Sequence, residues 1–164
     1  MSTGQSESGT RRTRLSSIVT DGTLPYIRCS PAYWLSPDSA VTVTKYILLV
    51  DDSELIRLAT RHFLESQPGF KVCGEAVDGI DALEKATHLH PDLIILDIAL
   101  PRMNGLQTAR ELRARSYSVP IILFTWYADA VQPEDLQQAG INAVISKTNP
   151  AALQSHVKNL LAVA

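Results

Sequence analysis

The chain has few cysteines, few aromatic residues and no strong excess of either charge. Two cysteines among 164 residues give no disulfide framework, and such usage is typical of proteins in a reducing cytosol. A formal net charge of -2 does not favour a nucleic-acid-binding protein, which usually carries a basic patch. No stretch approaches the roughly 18 apolar residues of a membrane span. We therefore expect a cytoplasmic protein that contacts neither nucleic acid nor a membrane directly.

Residues 1–44 lack the apolar periodicity of a folded domain. They are rich in Ser, Thr, Gly and Pro. Such a composition buries too little apolar surface to offset the entropy lost when the chain becomes ordered. Two short apolar clusters, at 26–27 and 33–35, interrupt this segment. We predict a disordered tail over 1–44 and a single domain over 45–164.

From residue 45 onward, apolar runs alternate with helical periodicity. Continuous apolar runs, which are typical of strands buried on both faces, predict strands at 46–50, 70–76, 93–96, 119–124 and 142–145. Apolar residues at helical spacing predict helices at 53–66, 79–89, 104–115, 133–139 and 150–161. Five strand–helix pairs in this order predict an α/β fold, a doubly wound five-stranded parallel sheet with helices on both faces.

Polar residues follow four of the five predicted strands at the point where each strand ends. They are Asp51 with Asp52, Asp97, Thr125 and Lys147. Because the carboxyl ends of parallel strands share one edge of a sheet, we expect these side chains to meet in one pocket. Three neighbouring carboxylates repel one another unless a cation is present, and Mg²⁺ prefers such oxygen ligands. An aspartate in this setting can accept a phosphoryl group.

Four segments of the chain resemble the receiver domain of two-component response regulators. They are Ile47–Ser53, Pro91–Asp97 followed by Pro101 and Asn104-Gly105, Val119–Thr125, and Ala139-Gly140 with Ser146-Lys147. The segments occur in the family's order and spacing over about residues 45–163. The resemblance implies a flavodoxin-like receiver fold with the strand order 2-1-3-4-5.

The resemblance also implies a role for each polar residue. Asp97 would be the phosphoacceptor, Thr125 would hydrogen-bond one phosphoryl oxygen, and Lys147 would pair with another. The implied ligands of Mg²⁺ are the carboxylates of Asp51, Asp52 and Asp97 and the backbone carbonyl of Ala99. The chemistry would consist of self-phosphorylation and autodephosphorylation, so we expect no enzyme that acts on a separate substrate.

The resemblance implies one partner that donates the phosphoryl group and another that binds after phosphorylation. A sensor histidine kinase or a histidine phosphotransfer protein would donate the phosphoryl group. The face formed by the fourth helix, the fifth strand and the fifth helix would then bind a downstream protein or a second copy of the chain. Because the sequence ends about where the last receiver helix ends, we expect a stand-alone receiver.

Three positions depart from the family pattern. Trp126 stands where a small residue usually follows the threonine, and we expect its ring to narrow access to Asp97. Val144 replaces the aromatic residue that couples the threonine to the output face, and Thr148 replaces a proline that is usually cis. Trp126 and Val144 leave open a receiver-like binding module without regulated phosphorylation. The sequence also leaves open a receiver fragment of a DNA-binding transcriptional regulator, because it resembles receivers that usually precede helix-turn-helix domains.

Overall fold

A five-stranded parallel sheet with helices on both faces organises residues 43–161, which are the residues that the computed structural model describes. Residues 1–42 of the predicted tail over 1–44 lie outside them. The elements are β1 (Lys45–Val50), α1 (Glu54–Glu65), β2 (Phe70–Ala76), α2 (Gly79–Leu89), β3 (Leu93–Leu96), α3 (Gly105–Ala114), β4 (Ile121–Thr125), α4 (Pro133–Gln138), β5 (Ala143–Ser146) and α5 (Pro150–Leu161). The strand order β2-β1-β3-β4-β5 confirms the predicted topology.

The central strands are apolar because both of their faces are covered. All residues of β3 and β4 are buried, as are the last four of β1. One core cluster packs α2 and α3 against one face of the sheet, and a second packs α1 and α5 against the other. No helix among residues 43–161 is long and apolar enough to cross a membrane.

The register of the sheet places the strand ends side by side. Val50 pairs with Leu96, and Leu96 pairs with Leu123. The backbone N–H of Asp97 donates to the carbonyl of Val50 at 2.8 Å, so the ends of β1 and β3 are tied together. The parallel register therefore brings residues that follow different strands to one edge.

Several sequence predictions need correction at the level of single residues. The fourth strand begins at Ile121 rather than 119, because the carbonyl of Val119 accepts a hydrogen bond from the side chain of Arg113 instead of joining the ladder. Leu55 on α1 is 77% exposed despite its place in the apolar pattern. Ile80 of α2 is exposed as well, although it fits the helical spacing of apolar residues in 79–89, and Ala82 is buried on that helix.

The fourth helical segment is shorter than predicted and is preceded by an element that the pattern did not indicate. A one-turn 3-10 helix, Ala128–Ala130, lies between β4 and α4. α4 has only six residues, and none of them is buried. The contacts of this part of the chain with the core are made by Val131, Leu136 and the buried Ala139 that follows α4.

Candidate functional site

Three of the predicted site residues meet at the carboxyl edge of the sheet. Asp51 follows β1, Asp97 follows β3, and Lys147 follows β5. The Lys147 Nζ lies 2.6 Å from Asp51 Oδ2 and 2.5 Å from Asp97 Oδ2. All three side chains are at most 8% exposed, so one ammonium group sits between two buried carboxylates. The single ammonium offsets only one of the two carboxylate charges, and the exposed Asp52 lies beside this buried cluster.

The three carboxylates are close enough to share a cation. One ligand oxygen from each of Asp51, Asp52 and Asp97 lies within 4.8 Å of the other two. Two of these residues are buried and one is exposed, so the group opens toward solvent on one side. Oxygen donors of this kind, with solvent available for additional water ligands, fit the coordination that Mg²⁺ prefers.

Burial raises the pKa of the Asp51 carboxyl above its ordinary range. The hydrogen bond from Lys147 and that from the Ser53 N–H both oppose this shift without cancelling it, and the neighbouring Asp97 charge adds to it. The ionised form of Asp51 is therefore held at a cost in free energy. A divalent cation would lower this cost, which agrees with the donor set.

Asp97 is held by both of its carboxylate oxygens. Oδ1 accepts hydrogen bonds from the N–H groups of Ile98 at 2.6 Å and Ala99 at 3.4 Å, while Oδ2 faces Lys147. Ala99 therefore lies in the turn that follows Asp97, with its N–H directed at the Asp97 carboxylate. The predicted role of the Ala99 carbonyl as a metal ligand stays a prediction.

The start of α3 packs directly against the backbone of Asp97. A Cβ added at Gly105 would lie 2.2 Å from the carbonyl oxygen of Asp97 and 2.9 Å from the Cα of Ile98. Both neighbours are backbone atoms that cannot move aside without displacing the site. This close approach explains why the Asn104-Gly105 pair follows the strand of Asp97, since any larger residue would clash.

Thr125 lies at the end of β4 and is fully buried. Its carbonyl accepts from the Lys147 N–H at 3.0 Å, which ties the ends of β4 and β5 together. Its hydroxyl oxygen accepts a hydrogen bond from the N–H of Tyr127 at 3.3 Å. The structure thus brings Thr125 to the same edge as Asp97 and Lys147.

Arg57, which the sequence analysis did not identify as a site residue, hydrogen-bonds to the backbone of Asp51. Arg57 Nη1 donates to the carbonyl of Asp51 at 2.8 Å, and Arg57 Nε pairs with Glu75 Oε2 at 2.9 Å. Ser53 caps α1 and donates its N–H to Asp51 Oδ1 at 3.0 Å. An arginine in the first turns of an amphipathic helix resembles any solvent-facing residue, so no sequence signal distinguished Arg57.

The three departures from the family pattern have distinct settings. Trp126 is 56% exposed and does not line the small pocket shared by Asp51 and Asp97, so its predicted effect on access stays a prediction. Val144 is half-buried and packs against the core cluster under α3. No peptide bond among the described residues is cis, and the N–H of Thr148 instead donates to Ser146 Oγ at 3.2 Å.

Two curated relatives illustrate what the chain is similar to. It is 39% identical over 97 residues to a protein-glutamate methylesterase/protein-glutamine glutaminase of Methanosarcina acetivorans, covering 59% of this chain and 28% of that protein. It is 33% identical over 106 residues to the transcriptional regulatory protein LiaR of Bacillus subtilis, covering 65% of this chain and 50% of that protein. The chain therefore spans a half or less of the length of these relatives.

Solved structures and a family model point the same way. The response regulator domain of Thermotoga maritima CheB has a TM-score of 0.67 and 25% identity, covering 74% of this chain and 98% of that one. A LuxR-family two-component response regulator from Aurantimonas sp. SI85-9A1 has a TM-score of 0.66 and 30% identity, covering 73% and 86%. The model of the response regulator receiver domain matches residues 47–158. The chain belongs to the response regulator receiver domain family.

Proposed function

We propose that this receiver is a magnesium-dependent phosphorylation switch whose phosphoacceptor is Asp97. The observation that carries the proposal is the placement of the Lys147 ammonium between the buried carboxylates of Asp51 and Asp97, with Asp52 completing the acidic group. Clustered carboxylates with a fixed cation are suited to receive a phosphoryl group and to neutralise its oxygens. If the ion pairs of Lys147 served only to stabilise the fold, the exposed carboxylate of Asp52 would not be needed.

The phosphoryl donor is a sensor histidine kinase or a histidine phosphotransfer protein. A carboxylate oxygen of Asp97 attacks the phosphorus of the donor phosphohistidine, the P–N bond breaks, and the imidazole leaves with its electron pair. Mg²⁺ held by Asp51, Asp52, Asp97 and the Ala99 carbonyl would neutralise charge that develops on the phosphoryl oxygens. Later attack of water on phosphorus releases phosphate and restores the Asp97 carboxylate.

The other two site residues act on the phosphoryl group once it is formed. Lys147 pairs its ammonium with a phosphoryl oxygen, at the position where it meets Asp97 in the unphosphorylated state. Thr125 donates its hydroxyl proton to another phosphoryl oxygen. These contacts favour one of two pre-existing conformations, so a local charge change becomes a change of surface. We propose that the α4–β5–α5 face then binds a downstream protein or a second copy, in the cytoplasm.

The experiment is an intact-mass measurement after incubation of the full chain with Mg²⁺ and a small acyl phosphate. We expect a gain of one phosphoryl group that disappears in Asp97→Asn and when Mg²⁺ is withheld. Asp92→Asn, at the opposite edge of the sheet, is the matched control and keeps the gain. If rapid hydrolysis hides the product, a beryllofluoride titration replaces the donor. If the chain neither gains a phosphoryl group nor responds to beryllofluoride, the proposal is wrong.

A receiver-like binding module without regulated phosphorylation is the second candidate. Two observations favour it: Val144 stands in place of an aromatic residue, and Trp126 and Tyr127 are more than half exposed. The mass measurement separates the two candidates, because a binding module gains no phosphoryl group.

The chain is also similar to proteins with additional activities. One relative is a transcriptional regulatory protein and another a methylesterase/glutaminase, and the chain covers a half or less of each. We propose that residues 43–161 supply only the receiver function and turn over no separate substrate. Phosphoester hydrolysis or methylesterase activity by the purified chain would contradict this, whereas a receiver that belongs to a longer DNA-binding regulator agrees with it.

A further inference from the structure

The carboxylate and the backbone carbonyl of Asp51 are held by different residues. Oδ1 accepts from the Ser53 N–H at 3.0 Å, and Oδ2 lies 2.6 Å from the Lys147 Nζ. The carbonyl oxygen accepts from Arg57 Nη1 at 2.8 Å. Arg57 therefore acts on the main chain at Asp51, and so on the peptide unit that joins Asp51 to Asp52.

We propose that Arg57 positions the magnesium site by fixing the Asp51–Asp52 peptide unit, and that Glu75 holds the Arg57 side chain in the orientation this requires. The inference rests on the proposed function, because the ion concerned is the one that phosphorylation of Asp97 would need. Arg57 is a positioning residue, since its bond to Asp51 is to the backbone and not to a carboxylate oxygen.

The peptide unit that Arg57 holds lies between two of the three carboxylates that could share a cation. One ligand oxygen from each of Asp51, Asp52 and Asp97 lies within 4.8 Å of the other two. Mg²⁺ requires near-ideal octahedral geometry at short ligand distances, so it tolerates little displacement of its ligands. Because Asp52 is exposed, the backbone that carries it has a large part in setting where its carboxylate lies.

The guanidinium of Arg57 is itself fixed by two hydrogen bonds. Its side chain is only 11% exposed, and Nε donates to Glu75 Oε2 at 2.9 Å while Nη1 donates to the Asp51 carbonyl. A guanidinium presents its donors in a rigid planar fork, so two bonds from different nitrogens define its orientation. A lysine ammonium is a single point charge and cannot reproduce this arrangement.

Glu75, on β2, is shared by two arginines of α1. Oε2 accepts from Arg57, and Oε1 lies 2.7 Å from Arg61 Nη2. Burial alone would raise the pKa of Glu75, but the hydrogen bonds from Arg57 and Arg61 outweigh it and hold the pKa below its ordinary range. Among the described residues, Arg61 makes its other ion pair with Glu65 at 3.9 Å. Arg61 therefore offers a matched comparison, because it shares the carboxylate of Glu75 without bonding to Asp51.

Charge alone predicts the opposite effect of Arg57 on the ion. Arg57 lines the same small cavity as Asp51 and Asp97, so its positive charge lies near the carboxylates. Like charges repel, and a guanidinium in this place would weaken the binding of a dication. A loss of Mg²⁺ affinity when Arg57 is removed would therefore indicate the hydrogen bond rather than the charge.

The test measures Mg²⁺ affinity by isothermal titration calorimetry on the full chain, with Mg²⁺ alone and no phosphodonor. We expect Arg57→Met to weaken binding about 10-fold, as loss of a residue that orients a metal ligand does. Arg57→Lys keeps the charge but not the fork, and we expect a similar loss. Arg61→Met should leave the affinity unchanged. Circular dichroism checks each fold, and if Arg57→Met is unfolded, Arg57→Lys carries the test.

Two further measurements separate positioning from other roles. Glu75→Gln should weaken Mg²⁺ binding in the wild type but not in Arg57→Met, because Glu75 acts through Arg57, whereas a direct effect of its charge would persist in both. In phosphorylation by an acyl phosphate, Arg57→Met should raise the half-saturating Mg²⁺ concentration, and its rate at saturating Mg²⁺ should approach that of the wild type.

The possible failures are distinguishable. If the wild type neither binds Mg²⁺ nor gains a phosphoryl group, the proposed function is wrong and the positioning role with it. If the wild type does both, but a folded Arg57→Met or Arg57→Lys keeps full Mg²⁺ affinity, the positioning role is overturned while the phosphorylation switch stands. An equal loss of affinity in Arg61→Met overturns it as well, because that loss cannot come from the Asp51 carbonyl.

Discussion

Two connections flank the candidate site, and they are built in opposite ways. The β3–α3 connection, residues 97–104, ends in a capping box in which the side chains of Asn104 and Gln107 each accept from the other residue's backbone N–H. The β4–α4 connection, residues 125–132, ends at Gln132, whose side chain makes no cap hydrogen bond. α3 buries four residues and α4 buries none. α4 contacts the core mainly through Leu136 and its buried C-cap Ala139, so it is held by fewer buried residues than α3.

A second contact fastens the β3–α3 connection from outside. Arg102, in that connection, pairs with the buried carboxylate of Asp78, which also caps α2. Asp78 Oδ1 accepts from the N–H groups of Ile80 at 2.9 Å and Asp81 at 3.0 Å. The connection that follows Asp97 is therefore fixed by an ion pair and a capping box, whereas α4, which comes after Thr125, begins without a side-chain cap.

The largest expected effect comes from filling the contact between Gly105 and Asp97. Gly105→Ala places a methyl group against backbone, and we expect it to lower the free energy of unfolding by about 3 kcal/mol, as overpacking against immovable neighbours does. Urea denaturation measures this loss. Glu134→Ala, at an exposed position of α4, is the control and should change stability by no more than about 0.5 kcal/mol. Equal losses of stability in the two variants would contradict the conclusion that the start of α3 is packed more tightly than α4.

A smaller effect is expected from Asp78→Ala, which removes the cap of α2 and the partner of Arg102. We expect a loss of about 1–2 kcal/mol in the free energy of unfolding. Asp78→Asn should lose less, because asparagine caps a helix as well as aspartate does. Urea denaturation at neutral pH compares the three proteins, and an Asn variant as unstable as the Ala variant would contradict the cap assignment.

The contribution of Asp78 should also depend on pH. Burial alone would raise its pKa, but the N–H of Asp81 and the Arg102 guanidinium outweigh burial and hold the pKa below its ordinary range. A carboxyl with a lowered pKa adds stability above its unfolded pKa and loses it as pH falls through the folded value. The gap between wild type and Asp78→Ala should therefore shrink on acidification. A gap that is constant or widens at low pH would refute this.

The smallest expected effect is a gain on the loosely held side. Gln132→Ser supplies the side-chain oxygen that the N-cap of α4 lacks, and we expect it to raise the free energy of unfolding by about 0.5–1 kcal/mol. Gln132→Ala offers no cap and should give no gain. Thermal and urea unfolding compare the two variants. If they behave alike, the missing cap is not what distinguishes α4 from α3.

The sequence predicted most of the sheet and the convergence of the site. β2, β3, α2 and α5 have the predicted bounds, because apolar runs and helical spacing follow directly from burial on a parallel sheet. Asp51, Asp97, Thr125 and Lys147 reach one edge because each ends or directly follows a parallel strand. The roles of these residues in phosphoryl transfer stay predictions.

The remainder depends on contacts between segments far apart in the chain. Asp78 and Arg102 are 24 positions apart, and their pairing follows from how two connections meet, which no local pattern contains. Arg57 contacts the Asp51 carbonyl only because α1 packs beside β1. Leu55 fits a helical apolar pattern yet lies exposed, since periodicity marks a face without saying what covers it.

The most direct test of the proposed phosphorylation switch is hydrogen exchange measured by mass spectrometry, with and without Mg²⁺ and beryllofluoride. Beryllofluoride stands in for the phosphoryl group. We predict that exchange changes across residues 125–138, stays the same across 105–114, and changes nowhere in Asp97→Asn. No change in the wild type, a change centred on 105–114, or an equal response in Asp97→Asn would contradict it.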